Sequence, residues 1–171
     1  ALLKLLTQPR VAPATYAQLF IALKRLDDDG LDATLQDFAN GRGKFSSLGL
    51  EARLNTFLEI LESAEGVVFA RDKIKSLADA AYHGDAHQDQ AAVSYARIVE
   101  QSGVANAAAS VLPLLSHDNP RVRSAAYLAR FTLEPGHRTT LVGSALRDAD
   151  TTVRQNILLR IATDKVQLPD T

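Results

Sequence analysis

The chain has 171 residues and a mass of 18.5 kDa; 46% of it is hydrophobic, 23% is charged, and the net charge is −1. That is enough for one domain, too apolar and too neutral for a disordered chain, and without a general pull toward nucleic acid or anionic lipid. Cysteine is absent, which excludes disulfides, thiolate metal ligands and a cysteine nucleophile, and no apolar run reaches the roughly 18 residues of a membrane span.

The chain opens on Ala1-Leu2-Leu3-Lys4-Leu5-Leu6 and contains no Met. Ala1 is therefore not expected to be the start of translation. The run lacks the basic leader and small-residue cleavage pattern of a secretory signal, so it is taken as the end of a helix, with the cytoplasm as default address.

From Pro13 onward the periodicity is helical. Tyr16, Leu19, Phe20 and Leu23 form one stripe. Leu50, Leu54, Phe57, Leu58 and Leu61 form a second, and Ala70, Ile74, Leu77, Ala78 and Ala81 repeat its spacing. Runs of Val, Ile or Thr alternating with polar residues are missing, so the spacing predicts an all-α fold. Short turns separate the stripes at Asp27-Asp28-Asp29-Gly30, Asn40-Gly41-Arg42-Gly43, Glu65-Gly66, Gly84, Ser102-Gly103, Asp118-Asn119-Pro120 and Pro135-Gly136. Glycine is expected to supply the left-handed residue that closes a helix, and Asn or Asp to cap the next one. The stretch from Gly41 to Ser47 is the longest connection and a candidate sub-boundary.

Three turns carry residues with chemical potential. In a calcium loop with Gly30 at its sixth position, the first and last ligands would be Arg25 and Gln36, so Asp27-Asp28-Asp29 is read as an acidic capped turn. Gly41-Arg42-Gly43-Lys44 lacks the first glycine and the hydroxyl of a phosphate loop, since Phe38 and Phe45 stand there; it is read as a basic turn. His83-Gly84-Asp85-Ala86-His87-Gln88-Asp89 is the densest group of potential metal ligands. Alternation by two is a strand spacing, however, and Asp89 is needed as a cap, so a solvated loop is preferred and no metal or cofactor is expected. His117 and His137 fall at inter-helix turns, where the imidazole is expected to face solvent. Hydrolase, zinc-protease and dinucleotide signatures are absent, so no catalytic residue is assigned.

A repeat emerges in the second half. Asn119-Pro120-Arg121-Val122-Arg123 opens one helix, and Asp150-Thr151-Thr152-Val153-Arg154 opens another 31 positions later. Asn119 and Asp150 suit the N-cap, and Pro120 the first helical position. Thirty positions before Asn119 stands Asp89. Its face of Ala92, Tyr95, Ala96 and Val99 matches Val122, Ala125, Ala126 and Ala129. Three units of about 30 residues are therefore expected to stack, each a helix, a turn and a second helix too small to bury its own apolar side.

These residues carry a resemblance. Asp118-Asn119-Pro120-x-Val122-Arg123 followed by Ala125-Ala126-x-Leu128, with Pro113 in the preceding helix, resembles the HEAT repeat, particularly the short type of phycobilisome-lyase-like proteins. The resemblance covers residues 104–163 well and 70–102 weakly. It implies a right-handed α-solenoid of antiparallel helix pairs. The chain would then be one α-helical domain, with divergent helices over 1–65 and HEAT-like repeats over 66–171. It also implies that Arg123 and Arg154 pair with Asp118, Asp148 or Asp150 of neighbouring turns, a ladder that holds the stack in register.

Charge is unevenly spread. Residues 1–102 hold 11 Lys and Arg against 14 Asp and Glu, net −3, and residues 103–171 hold 8 against 6, net +2. A non-enzymatic protein-interaction module is the expected function, with the second helices presenting one concave face to a protein partner. Ser94, Arg97, Arg121, Ser124, Tyr127, Arg130, Gln155 and Arg160 are the expected contact positions, Arg and Tyr first because they anchor interfaces most often. The alternative is a nucleic-acid-binding HEAT protein resembling the alkylpurine DNA glycosylases. A lyase accessory role ranks third. No membrane association is expected.

Overall fold

A computed structural model describes residues 12–83 and 88–165. Among these residues every regular element is helical and none is a strand. The eight α-helices are α1 (Pro13–Arg25), α2 (Leu31–Ala39), α3 (Leu50–Glu62), α4 (Arg71–Ala81), α5 (Asp89–Ser102), α6 (Pro120–Leu133), α7 (Arg138–Ala145) and α8 (Thr151–Asp164). Short 3₁₀ segments fill Gly43–Phe45, Ala64–Val68 and Pro135–His137, and a longer one runs over Ala105–Ser116.

Local chemistry sets a few of these ends. The Asn119 side chain accepts from the Arg121 amide at 2.8 Å, and the Asp150 side chain accepts from the Thr152 amide at 2.7 Å, so both N-caps form as expected. Gly103 closes α5 at φ +67°. Four expectations at the turns are corrected. Gly136 lies within the 3₁₀ turn Pro135–His137 and is not left-handed. Asp89 is the first residue of α5 rather than its cap, which is Gln88. At the end of α1 it is Asp27, not Gly30, that turns left-handed, at φ 51°. Gly66 is helical, not left-handed; it is small because the chain passes it closely, as argued below.

The segment with Pro113 was expected to be an α-helix and is 3₁₀ throughout. Proline lacks the amide that an α-helical ladder would use, and the tighter i→i+3 winding accommodates it.

Five helices form a row, α1 on α3, α3 on α5, α5 on α6 and α6 on α8. The remaining elements lie against that row: α2 touches α4, α4 touches α3 and α5, Ala105–Ser116 lies across α5 and α6, and α7 lies on α6 and α8. One core runs from Tyr16 to Leu133, and a smaller cluster of Phe131, Val142, Ala145, Val153 and Ile157 joins α6, α7 and α8.

The core changes character along the row. At the N-terminal end Phe38 is the hub, with its ring centroid 5.0 Å from Phe20, 5.1 Å from Phe45 and 5.6 Å from Phe57. All three contacts are edge-on, the geometry in which a ring's positive rim meets a negative face. Phe45 comes from the Gly41–Ser47 connection and is fully buried, so that stretch plugs the core and does not divide it. Farther along, the buried sides of α5 and α6 are rich in small side chains, Ala92, Ala96, Ala126 and Ala129, all fully buried, and the two helices pack on each other. Small residues let helix axes approach toward the short end of the usual spacing.

Candidate partner-binding surface

The turns that begin α6 and α8 are held by the same bonds 31 residues apart. Nδ1 of His117 accepts from the Asn119 amide at 3.0 Å, and Oδ1 of Asp148 accepts from the Asp150 amide at 2.9 Å. Nη1 of Arg123 donates to the His117 and Asp118 carbonyls, both at 2.8 Å, and Nη1 of Arg154 donates to the Asp148 and Ala149 carbonyls at 2.6 and 2.9 Å. The arginine uses backbone oxygens, so Ala149 standing where Asp118 would align costs nothing.

Each turn also reaches back one unit. Nδ2 of Asn119 donates to Asp89 Oδ2 at 2.6 Å. Arg123 grips Asp148 with a two-pronged fork, Nε to Oδ2 and Nη2 to Oδ1, each 2.8 Å. The two side chains are only 16% and 8% exposed. The Arg123 guanidinium holds the Asp148 carboxyl below its ordinary value, and Asp148 in turn raises Arg123. Of the carboxylates expected to pair with Arg123, the structure selects Asp148. Arg154 pairs with carbonyls and the Thr151 hydroxyl instead.

His117 does not face solvent as expected: its side chain is 10% exposed and Nε2 lies 3.7 Å from Asp89 Oδ1. The turn needs an acceptor at that position, which Asp148 supplies one unit later. His137 is exposed, as expected. Gly84–His87, the middle of the loop weighed as a metal site, lie outside the described residues. Among the described residues no group of three or more His, Asp or Glu is placed to hold a metal ion, and no helix is long and apolar enough to cross a membrane.

Several residues expected to meet a partner tie one helix of the row to the next instead. The Ser94 hydroxyl donates to Asn55 Oδ1 of α3 at 2.6 Å, and Arg97 Nη2 donates to Glu62 Oε1, also of α3, at 2.5 Å. Ser124 is buried, and its Oγ accepts from Asn156 Nδ2 of α8 at 2.8 Å. Arg160 of α8 spans two neighbours, with Nη2 2.9 Å from Thr132 Oγ1 of α6 and 3.0 Å from Glu100 Oε1 of α5. Thr132 itself donates to Glu100 at 2.9 Å. Asn55, Glu62, Glu100, Thr132 and Asn156 were not picked out from the sequence. Their only signal there is that each is polar and lies about 30–40 positions from its partner, close to the repeat length.

The positions left facing outward fall into two patches, not one face. Arg121 and Gln155 are exposed at and near the N-terminal ends of α6 and α8. Tyr127 and Arg130 lie on another side of α6, in a groove of about 370 Å3 that Leu115, His137, Thr140, Leu141 and Ser144 also line. Arg130 Nε donates to Glu134 Oε2 at 2.6 Å, which fixes the guanidinium along one edge. Burial raises the Tyr127 phenol above its ordinary value, and Asp148 raises it further. At neutral pH Tyr127 is therefore a hydrogen-bonding group with an aromatic face and not a base. The split follows from helical geometry: residues 121, 124, 128 and 132 share one side of α6, and 123, 127 and 130 another.

A second groove, about 480 Å3, lies where α3 ends and α4 begins, and it includes Leu61, Val67 and Phe69. None of the expected contact residues lines it.

Neither a protein family, nor a curated protein, nor a solved structure matches the chain.

Proposed function

We propose that the chain is a non-enzymatic protein-interaction module, an α-solenoid of HEAT-like helix pairs, and that the groove at Tyr127 and Arg130, together with Arg121 and Gln155, receives the partner. The observation that carries this reading is the recurrence, at a spacing of 31, of one turn-and-arginine bonding pattern along a row of helices each packed on the next. Such units stack by covering one another, and what they offer outward is extended surface. An aromatic ring beside a positioned guanidinium in a groove is the arrangement that anchors interfaces.

The nucleic-acid reading receives less support. Arg123, Arg154 and Arg160, all in the arginine-rich second half, donate to intramolecular acceptors, which leaves less of that half's positive charge for a phosphate backbone.

The test is the double substitution Arg121→Ala and Arg130→Ala, compared with the unaltered protein as immobilised bait in host extract. The expected result is a specific co-purifying protein whose retention falls by about tenfold in the variant, with the thermal midpoint unchanged. Equal retention by both baits removes this surface from consideration.

A further inference from the structure

Charge around the groove at Tyr127 does not balance. Arg123 is matched by Asp148, and Arg130 by Glu134. Arg147 is exposed and makes no side-chain hydrogen bond or ion pair with any described residue. Thr140, Ser144 and Arg147 follow one another at spacings of four and three, which places them on one side of α7 and the turn after it. Thr140 and Ser144 line the groove. The Arg147 guanidinium folds back along α7, with Nη2 3.9 Å from where a Cβ on Gly143 would lie, and its charge acts on the Tyr127 phenol.

The hydrogen-bond donors lining the groove are unused as well. The Tyr127, Thr140 and Ser144 hydroxyls bond to nothing among the described residues, and Arg130 uses only its Nε, on Glu134. Leu115 and Leu141 add an apolar part. One unmatched positive charge, free donors and two leucines are complementary to a single negative charge beside an aliphatic side chain. The size of the charge decides between anions. A carboxylate brings one, whereas a phosphate brings about 1.5 to 2, and the excess would find no unmatched cation. His137 does not supply one, since its Nδ1 already lies 3.8 Å from Glu134 Oε1.

We infer that the groove takes a segment of a protein partner in which an Asp or Glu stands beside an aliphatic residue, the carboxylate on Arg147 and the groove hydroxyls, the aliphatic side chain on Leu115 and Leu141. The inference rests on the proposed function above and adds to it the chemistry that the groove selects.

The probe is a phage-displayed library of random dodecapeptides, selected on the immobilised full chain at about 0.15 M salt. Enriched sequences are expected to place Asp or Glu next to Leu, Ile or Val. In anisotropy titration of the most enriched peptide, Arg147→Gln should weaken binding at least about tenfold, as loss of a charge-assisted hydrogen bond does. Thr140→Trp, which fills the groove, should abolish it. Both residues are exposed, so the thermal midpoint should hold in each variant. Replacing the peptide's acidic residue by its amide should weaken binding to the unaltered chain as much as Arg147→Gln does, and weaken binding to that variant little further. Peptides blocked by Thr140→Trp yet free of acidic residues, acidic peptides indifferent to Arg147→Gln, or tighter binding with phosphoserine at the acidic position would each overturn the inference and leave the groove as the partner site. If no selected peptide responds to Thr140→Trp, the groove is not the site, and the reading on which the inference rests fails with it.

Discussion

Gly66→Ala is expected to lower stability by about 3 kcal/mol, read as a fall of roughly 6–12 °C in the thermal midpoint for a chain of this size. The cause is steric and has nothing to do with glycine's backbone freedom, since Gly66 is not left-handed. It lies buried in the 3₁₀ turn after α3, against the last turns of that helix. A Cβ there would collide with the Ile60 carbonyl oxygen, and the carbonyl carbon is itself 2.8 Å away. Both are backbone atoms, so no rotamer change relieves the clash. Ile60 is fully buried, which prevents the helix from backing off. Gly49→Ala is the matched control. Nothing lies within 4 Å of a Cβ at Gly49, and its backbone, at φ −62° and ψ 155°, suits any residue. Gly49 is the N-cap of α3, where Gly is preferred to Ala; that cost opposes the narrowing of the unfolded ensemble, so the substitution should shift stability by less than about 1 kcal/mol.

Asp148→Ala is expected to cost about 3 kcal/mol at neutral pH, because it strands one half of a nearly buried ion pair. The carboxylate takes both prongs of Arg123 and also accepts from the Asp150 amide. The substitution therefore loosens the α6–α8 seam and the turn that starts α8 together. Arg123 keeps its bonds to the His117 and Asp118 carbonyls, which limits the loss. The pH dependence has a definite sign. Asp148 is held below its ordinary value of 3.8 in the folded chain, so its contribution is fully present above that value. It declines as pH falls below 3.8 and is gone once pH has passed below the depressed folded value. Urea denaturation of the unaltered chain and the variant should therefore differ most near about pH 7, and the difference should shrink in strong acid. A gap that is constant down through the acid range would show that Arg123 and Asp148 do not act as an ion pair. Asp148→Asn, which retains one acceptor, should fall between the two.

Much of the architecture was legible in the residues. The stripes at Leu50–Leu61 and Ala70–Ala81 became α3 and α4, with Ala70 just outside as the residue before α4, and Asn119 and Asp150 became N-caps, because helical periodicity and cap chemistry are local properties. The pairing of Arg123 with a carboxylate of the next turn followed from a resemblance, and the geometry shows why it works: a planar fork meets a carboxylate edge at 2.8 Å on both prongs. Phe45 was not legible. It lies in a connection of glycine, basic and hydroxyl residues, and only the pocket around Phe38 explains its burial. Nor was the 3₁₀ winding before His117 visible, since Pro113 is compatible with a kinked α-helix as well.

The contact surface was the hardest to read. Ser94, Arg97, Ser124 and Arg160 sit on polar positions of amphipathic helices, where solvent and a neighbouring helix impose the same composition. A serine facing water and a serine bonded to an asparagine across a seam look alike in the chain.

The sequence alone thus determines where helices form, how they are capped and how often the turn pattern recurs, because those depend on neighbours a few residues away. Only the tertiary structure decides which polar side chains are spent between helices and which are left for a partner. That choice depends on whether the next helix, some 30 residues later, covers the same side, and no local period encodes it.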